Sequence, residues 1–264
     1  MIPKADIVAW RQKAPWISDA NVEQDLIMSR AIVDIFSNPF LTNELAFRGG
    51  TALHKLYFKV PRRYSEDIDI VQVNAGPIGP ILDTIQKTLN PVLGEPRRKQ
   101  TVGSVTLSYR VESEGPPVVP LRLKVEINTR EHFAIMGFQK IPFEVRSRWF
   151  NGVCRINTFT LEELLATKLR ALYQRRKGRD LFDLWLGLTE AKADPVRIVA
   201  IFKQYMEVEG NIIDGISFMK NLGDKMKHLG FISDVKSLLP ADVVYDEEFS
   251  YNLIRDKILT RIDE

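Results

Sequence analysis

Cysteine is almost missing. Cys154 stands alone among 264 residues, which excludes an internal disulfide framework and any cysteine-rich zinc site. Histidine is nearly as scarce, and His54, His132 and His228 have no metal-ligand spacing. No uncharged apolar run approaches the roughly 18 residues of a membrane span. The first residues carry Lys4, Asp6 and Arg11 where a signal peptide needs an apolar centre. Repeats and low-complexity tracts are absent. Nor does one charge dominate: 37 Lys+Arg against 34 Asp+Glu leave +3, so contact with nucleic acid must come from local patches. The remainder is ordinary globular composition, 45% hydrophobic and 27% charged, in a chain long enough to bury a core without staples. A cytoplasmic protein with no membrane partner is the expectation.

The periodicity of the chain changes near residue 159. Before it, helical and strand patterns mix. Asn21–Phe36 spaces Val22, Leu26, Val33 and Phe36 like a helix face, and Pro80–Leu89 reads as a helix opened by proline. Strands are expected at Leu45–Arg48, Asp67–Val73, Gly103–Val111, Leu121–Asn128, Ile141–Arg146 and Gly152–Asn157. Gly49-Gly50-Thr51 reads as a tight turn leading into a helix over Ala52–Phe58, and Arg97-Arg98-Lys99 as a basic loop. After Thr160 only helices are expected: Leu161–Gln174, Asp180–Leu188, Pro195–Val208, Ile212–His228 and Glu247–Arg261. The pattern predicts an α+β protein, with a sheet-containing domain over 1–159 and a helical domain over 160–264.

Three features of the first domain carry chemistry. At Gly49-Gly50-Thr51, glycines permit close backbone approach to a ligand, and a helix start offers free N–H groups; the Thr51 hydroxyl either caps that helix or meets a phosphate. In Asp67-Ile68-Asp69-Ile70, a strand puts both carboxylates on one face roughly 7 Å apart and both isoleucines on the other. Such like charges are relieved by hard divalent cations, Mg²⁺ or Mn²⁺, or by full solvation at an edge. On Leu121–Asn128, Glu126 shares a face with Arg122, Lys124 and Asn128, and joins the two aspartates if the strands are neighbours. Three carboxylates on adjacent strands suit two-metal displacement at phosphorus; a solvated face with cross-strand ion pairs uses the same residues.

The helical domain adds Lys168. It falls inside the apolar stripe Leu161, Leu164, Leu165, Leu172, where an ammonium needs an anion: a triphosphate or a buried acid. Thr160 with Glu163 makes a capping box. Lys168, Arg170, Arg175, Arg176, Lys177 and Arg179 form a basic run without an acid, suited to phosphate or to a helix C-terminus. Asp180 follows as a helix cap or a catalytic acid. Cys154 reads as a small buried residue.

Phe47-Arg48-Gly49-Gly50-Thr51-Ala52-Leu53-His54-Lys55, followed by Arg63-Tyr64-Ser65-Glu66-Asp67-Ile68-Asp69-Ile70, resembles the first motif of the AbiEii/AbiGii-type nucleotidyltransferase toxins. These belong to the DNA polymerase β-like nucleotidyltransferase superfamily and have the MenT toxins as relatives. Lys124-Val125-Glu126-Ile127 is similar to their second motif, with Glu126 where the superfamily often has aspartate. Thr160–Lys168 and Gly178-Arg179-Asp180-Leu181-Phe182-Asp183-Leu184 are similar to their C-terminal motifs, and the ordered match covers about residues 20–190. The resemblance implies a nucleotidyltransferase-type mixed sheet with flanking helices and a C-terminal helical domain that contributes Lys168 and Asp180 to a cleft. It implies transfer of a nucleoside monophosphate from an NTP to RNA, with the tRNA 3′ end as acceptor. The setting would be that of a type IV toxin with a cognate antitoxin in phage defence. By position, Gly49, Gly50 and Thr51 would hold the triphosphate, and Asp67, Asp69 and Glu126 the Mg²⁺ (or Mn²⁺). Lys168 would touch the triphosphate and Asp180 would supply the last acid. A protein hydroxyl as acceptor, a non-catalytic nucleotide- or RNA-binding role, and an Asp-x-Asp glycosyltransferase stand as alternatives.

Overall fold

The computed structural model describes residues 2–115 and 117–264. Contacts divide the chain into two compact units, Met1–Phe159 and Thr160–Glu264.

The first unit is built on α1 (Lys4–Trp10), α2 (Asp19–Ser37), α3 (Pro39–Glu44), β1 (Leu45–Arg48), α4 (Gly49–Tyr57), β2 (Asp67–Gln72), α5 (Gly79–Leu93), β3 (Arg97–Thr101), β4 (Ser104–Glu112), β5 (Pro120–Asn128), β6 (Gln139–Arg146) and β7 (Asn151–Thr158). Its seven strands form one mixed sheet in the order β3-β4-β5-β2-β1-β7-β6. β2 runs antiparallel to β1 and parallel to β5. That places the Asp67–Gln72 strand beside Leu121–Asn128, the neighbourhood on which the three-carboxylate expectation depended.

Alternation decides which face is buried. Ile68, Ile70, Leu123, Val125, Ile127, Val105 and Leu107 lie in the core, while their neighbours in sequence emerge on the opposite face. Each such aliphatic side chain contributes about 1.5–3 kcal/mol through burial. A one-residue slip of β2 would exchange Asp67 and Asp69 for isoleucines on the polar face, so the same burial that stabilises the sheet fixes the site's register. α2 is anchored beneath through a buried ion pair. Lys55 of α4 reaches both oxygens of Asp25 at 3.0 Å, and Trp10 and Trp16 donate to the same carboxylate at 2.9 and 3.3 Å. These two tryptophans are therefore core residues whose indole N–H groups satisfy a buried acid.

The second unit contains α6 (Leu161–Gln174), α7 (Gly178–Thr189), α8 (Pro195–Val208), α9 (Gly215–Met226), α10 (Leu229–Ile232) and α11 (Glu247–Lys257), with two short 3₁₀ turns. Thr160 caps α6, its hydroxyl accepting from the Glu163 N–H at 3.3 Å. Among the described residues no helix is long and apolar enough to cross a membrane.

Several boundaries differ from the sequence pattern. Arg97-Arg98-Lys99 is not a loop: it opens β3, an edge strand exposed along its whole length and held by pairing with β4. Gly49 and Gly50 are not a separate turn but the first residues of α4. α7 starts two residues before Asp180, because Asp234 accepts the Arg179 N–H at 3.2 Å and serves that end of the helix. α9 starts at Gly215 rather than Ile212, capped by Asp214, which accepts from Ser217 N–H at 2.7 Å. α1 and α3 are short helices that the periodicity did not reveal.

Candidate active site

Asp67 and Asp69 stand on the polar face of β2, opposite Lys124 and Glu126 of β5. On the other side Asp69 pairs with Arg48 of β1, immediately before α4. Gly49 takes φ +78°, and a Cβ built there would lie 2.2 Å from Asp69 Oδ2 and 2.9 Å from its Cβ and Cγ. A Cβ on Gly50 would lie 2.2 Å from the Arg63 guanidinium. The two glycines thus let the start of α4 close down on a carboxylate and on a buried arginine. Arg48 makes no side-chain cap to α4. The first turn of a helix has N–H groups without intrahelical acceptors and a partial positive charge, a setting that favours anions.

Thr51 does otherwise than expected. Its buried hydroxyl donates to the Asp67 carbonyl at 2.6 Å and accepts from the Ser65 hydroxyl at 2.8 Å, tying α4 to the entry of β2. Only its backbone N–H is left to serve a ligand. His54 is buried too, accepting the Arg62 N–H at Nδ1 (3.3 Å) and packing against Phe58.

The expected carboxylate triad is brought to one face but not gathered into a cage. Asp69 and Glu126 are register neighbours and Glu126 is exposed. Asp67, however, faces the Lys124 ammonium at 3.2 Å. Among the described residues no three His, Cys, Asp or Glu side chains stand close enough to hold a metal ion as they are. The reason is electrostatic: carboxylates on one face repel, and the parallel register sets a lysine opposite the first of them. The donor set nevertheless fits a divalent cation. Asp67 Oδ1 is enclosed and accepts no hydrogen bond, and the charge that meets it is a lysine ammonium, a cation of lower charge and poorer fit than a hard divalent ion.

In the second unit Lys168 is buried and bonded to Asp180 Oδ1 at 3.2 Å and Asp183 Oδ2 at 2.8 Å, both acids fully buried. Arg175 adds a two-pronged contact to Asp180 at 2.7 and 2.8 Å. Burial pushes the Asp180 carboxyl up, but the Lys168 charge and the Arg175 hydrogen bond outweigh it and hold the group below its ordinary value. Of the two anions open to Lys168, the structure therefore supplies the buried acid. The basic run is likewise mostly answered from within, by Glu209 on Arg170 and Asp234 on Lys177 and Arg179.

Sequence reasoning missed four contributors. Arg63 and Ser65 were signalled by their place in the Arg63–Ile70 motif, Lys124 by its position two before Glu126, and Asp183 by its i+3 spacing from Asp180.

The AbiEii family model, described as nucleotidyl transferase AbiEii toxin of type IV toxin–antitoxin systems, matches residues 30–256. The chain belongs to the AbiEii nucleotidyltransferase toxin family. It is accordingly a nucleotidyltransferase of a type IV toxin–antitoxin system, a class that takes an NTP and a divalent metal. Its fold is shared by MenT4, a nucleotidyltransferase toxin of Mycobacterium tuberculosis, at TM-score 0.61 and 14% identity over 98% of this chain and 90% of that one. JHP933 of Helicobacter pylori has TM-score 0.56 and 19% identity, covering 93% and 94%. A putative nucleotidyltransferase of H. pylori has 0.55 and 19%, covering 94% and 98%. No functionally curated protein matches. Across all three structures the likeness is one of fold: a mixed sheet followed by helices.

Proposed function

We propose that this AbiEii protein transfers a nucleoside monophosphate from an NTP to a hydroxyl of RNA, with the tRNA 3′ end as acceptor and Mg²⁺ as the metal, Mn²⁺ substituting. It acts in the cytoplasm as the toxin of a phage-defence pair held in check by a cognate antitoxin. The observation that carries this reading is the approach of the Asp69 carboxylate to Gly49 at the start of α4, beside the enclosed Asp67 oxygen.

Asp67 and Asp69 would hold the divalent ion, which supplies charge neutralisation at the phosphates and a Lewis acid for the leaving pyrophosphate. The backbone N–H groups at Gly49, Gly50 and Thr51 bind phosphate oxygens at the positive end of α4. The acceptor hydroxyl oxygen bonds to the α-phosphorus, the bond from that phosphorus to the β-phosphate oxygen breaks, and pyrophosphate leaves. Glu126, exposed beside Asp69, takes the hydroxyl proton. Lys168 is held within the helical unit by Asp180 and Asp183, an ion pair that stabilises that unit. Catalysis here is mostly placement and charge compensation, as phosphoryl chemistry requires.

The test incubates the protein with each of the four α-labelled NTPs, Mg²⁺ and total RNA. A labelled RNA of tRNA size, needing one NTP above the others, is the expected result. Label on protein in place of RNA would move the acceptor to a protein hydroxyl. Nucleotide binding without label in either would make the chain a binding partner.

A further inference from the structure

The face that carries Asp67 and Asp69 does not end at Glu126. Register continues it across two more strands, β4 and β3, to the edge of the sheet. One row runs Asp69, Glu126, Thr106, Lys99, and the next runs Asp67, Lys124, Ser108, Arg97. Beyond them Arg110 and Arg122 face each other directly. Arg97, Lys99, Arg110 and Arg122 are exposed. None of these four has an acid partner among the described residues. At about 4.8 Å per strand, the cations reach some 14 Å from the aspartates.

Two features mark this face as built for an anion. Like charges directly opposite on one sheet face destabilise the pair, and Arg110 and Arg122 occupy such a position with no ion pair to either among the described residues, although Glu112 lies two residues along on the same face. The β4 positions beside the β3 cations are short hydroxyls, Ser104, Thr106 and Ser108, which donate to phosphate oxygens and leave the surface low. Large apolar anchors, the core of most protein interfaces, are missing from these rows.

We propose that the β3-β4-β5 face is the acceptor platform, on which the phosphate backbone of single-stranded RNA lies with its terminal hydroxyl directed to Asp67 and Asp69. The proposal rests on the transferase reading for the identity of its acceptor and adds the surface that binds it. Arg97, Lys99, Arg110 and Arg122 contact phosphates; Lys124, engaged by Asp67, marks where the track meets the site. The interaction is electrostatic and tolerant of sequence, so selection among RNAs would depend on how the 3′ end fits near the aspartates.

The test measures affinity of the full chain for a short fluorescein-labelled single-stranded oligoribonucleotide across a salt series, for wild type, R110A/R122A, R97A/K99A and R155A, the last an exposed cation on β7. Losing two phosphate contacts lowers the log–log salt slope by about 1.4. Extrapolated from 1 M to 0.15 M salt, that is a roughly tenfold weaker affinity. Both double variants are expected to show it, R155A is not, and the KM for RNA rises with them more than kcat falls. Affinity and slope equal to wild type in both would overturn the platform, as would failure of wild type to bind RNA. Binding of poly-glutamate in place of RNA through Arg110 and Arg122 would also overturn it, by making this a protein-binding face. NMP transfer is measured on the same samples. Transfer by wild type with no arginine dependence of RNA affinity sinks only the platform, whereas arginine-dependent RNA affinity without transfer by wild type sinks only the transferase reading.

Discussion

Replacing Gly49 by alanine perturbs the candidate site at its narrowest point. The residue sits at φ +78°, a conformation that costs an L side chain about 1–2 kcal/mol. The new Cβ would also stand 2.2 Å from Asp69 Oδ2 and 2.9 Å from Asp69 Cβ and Cγ. A carboxylate tip alone turns aside cheaply, but contact with Cβ and Cγ forces the whole side chain or the backbone of β2 to move, by roughly 1 Å. A displacement of that size at a reacting group costs on the order of 100-fold in rate. Gly49→Ala should therefore lose about 2–5 kcal/mol in urea unfolding, backbone strain and overpacking together, and about 100-fold in NMP transfer measured on the folded protein. Gly230→Ala is the control, because nothing lies within 4 Å of a Cβ there, and both readouts should stay near wild type. In an Asp69→Ala background the contacts with Oδ2 and Cγ vanish and only the one with Cβ, at 2.9 Å, remains, so Gly49→Ala should cost less stability there than in the wild-type background. Full activity in Gly49→Ala would refute the argument that Asp69 acts from where it is placed.

Lys168→Met leaves Asp180 and Asp183 buried without their shared ammonium, and urea unfolding followed by far-ultraviolet circular dichroism should register a loss of about 3–5 kcal/mol. The folded Asp180 carboxyl lies below its ordinary value of 3.8, so it contributes stability above that pH and loses it as pH falls through the folded value. Melting temperature should accordingly drop below about pH 4, less steeply in Lys168→Met, where the depression is weaker; equal slopes would count against the ion pair. The Cys154 thiol is pushed up to about 12 by burial and then by the charge of Asp34, so iodoacetamide at pH 8 should modify the native protein far more slowly than the urea-unfolded chain.

Where a sequence pattern is set by burial, it was legible. Asp67-Ile68-Asp69-Ile70 and Leu121–Asn128 alternate because one face of each strand is core, and that alternation alone placed the two aspartates and Glu126 on the outward face. Lys168 stood out because an ammonium in an apolar stripe needs an anion. The pattern left open which anion, and two acids from the next helix answered it. Features settled by pairing rather than burial were not legible. β3 carries no alternation, being exposed throughout, and is a strand only because β4 supplies its hydrogen bonds. The Thr51 hydroxyl was assigned to a cap or a phosphate because its true acceptor, the Asp67 carbonyl, lies 16 residues away in sequence. Asp180 looked like a helix cap until Asp234, contributed from far along the chain, took that end of α7.

The central claim is that Asp67 and Asp69, side by side on β2, carry nucleotidyl transfer. It is tested most directly by single-turnover transfer of labelled NMP in wild type, Asp67→Asn and Asp69→Asn, with melting curves recorded on the same samples. The account predicts that each substitution abolishes transfer while the protein stays folded, because the neutral amide keeps the shape and removes the charge. Transfer at the wild-type rate in either folded variant would contradict it.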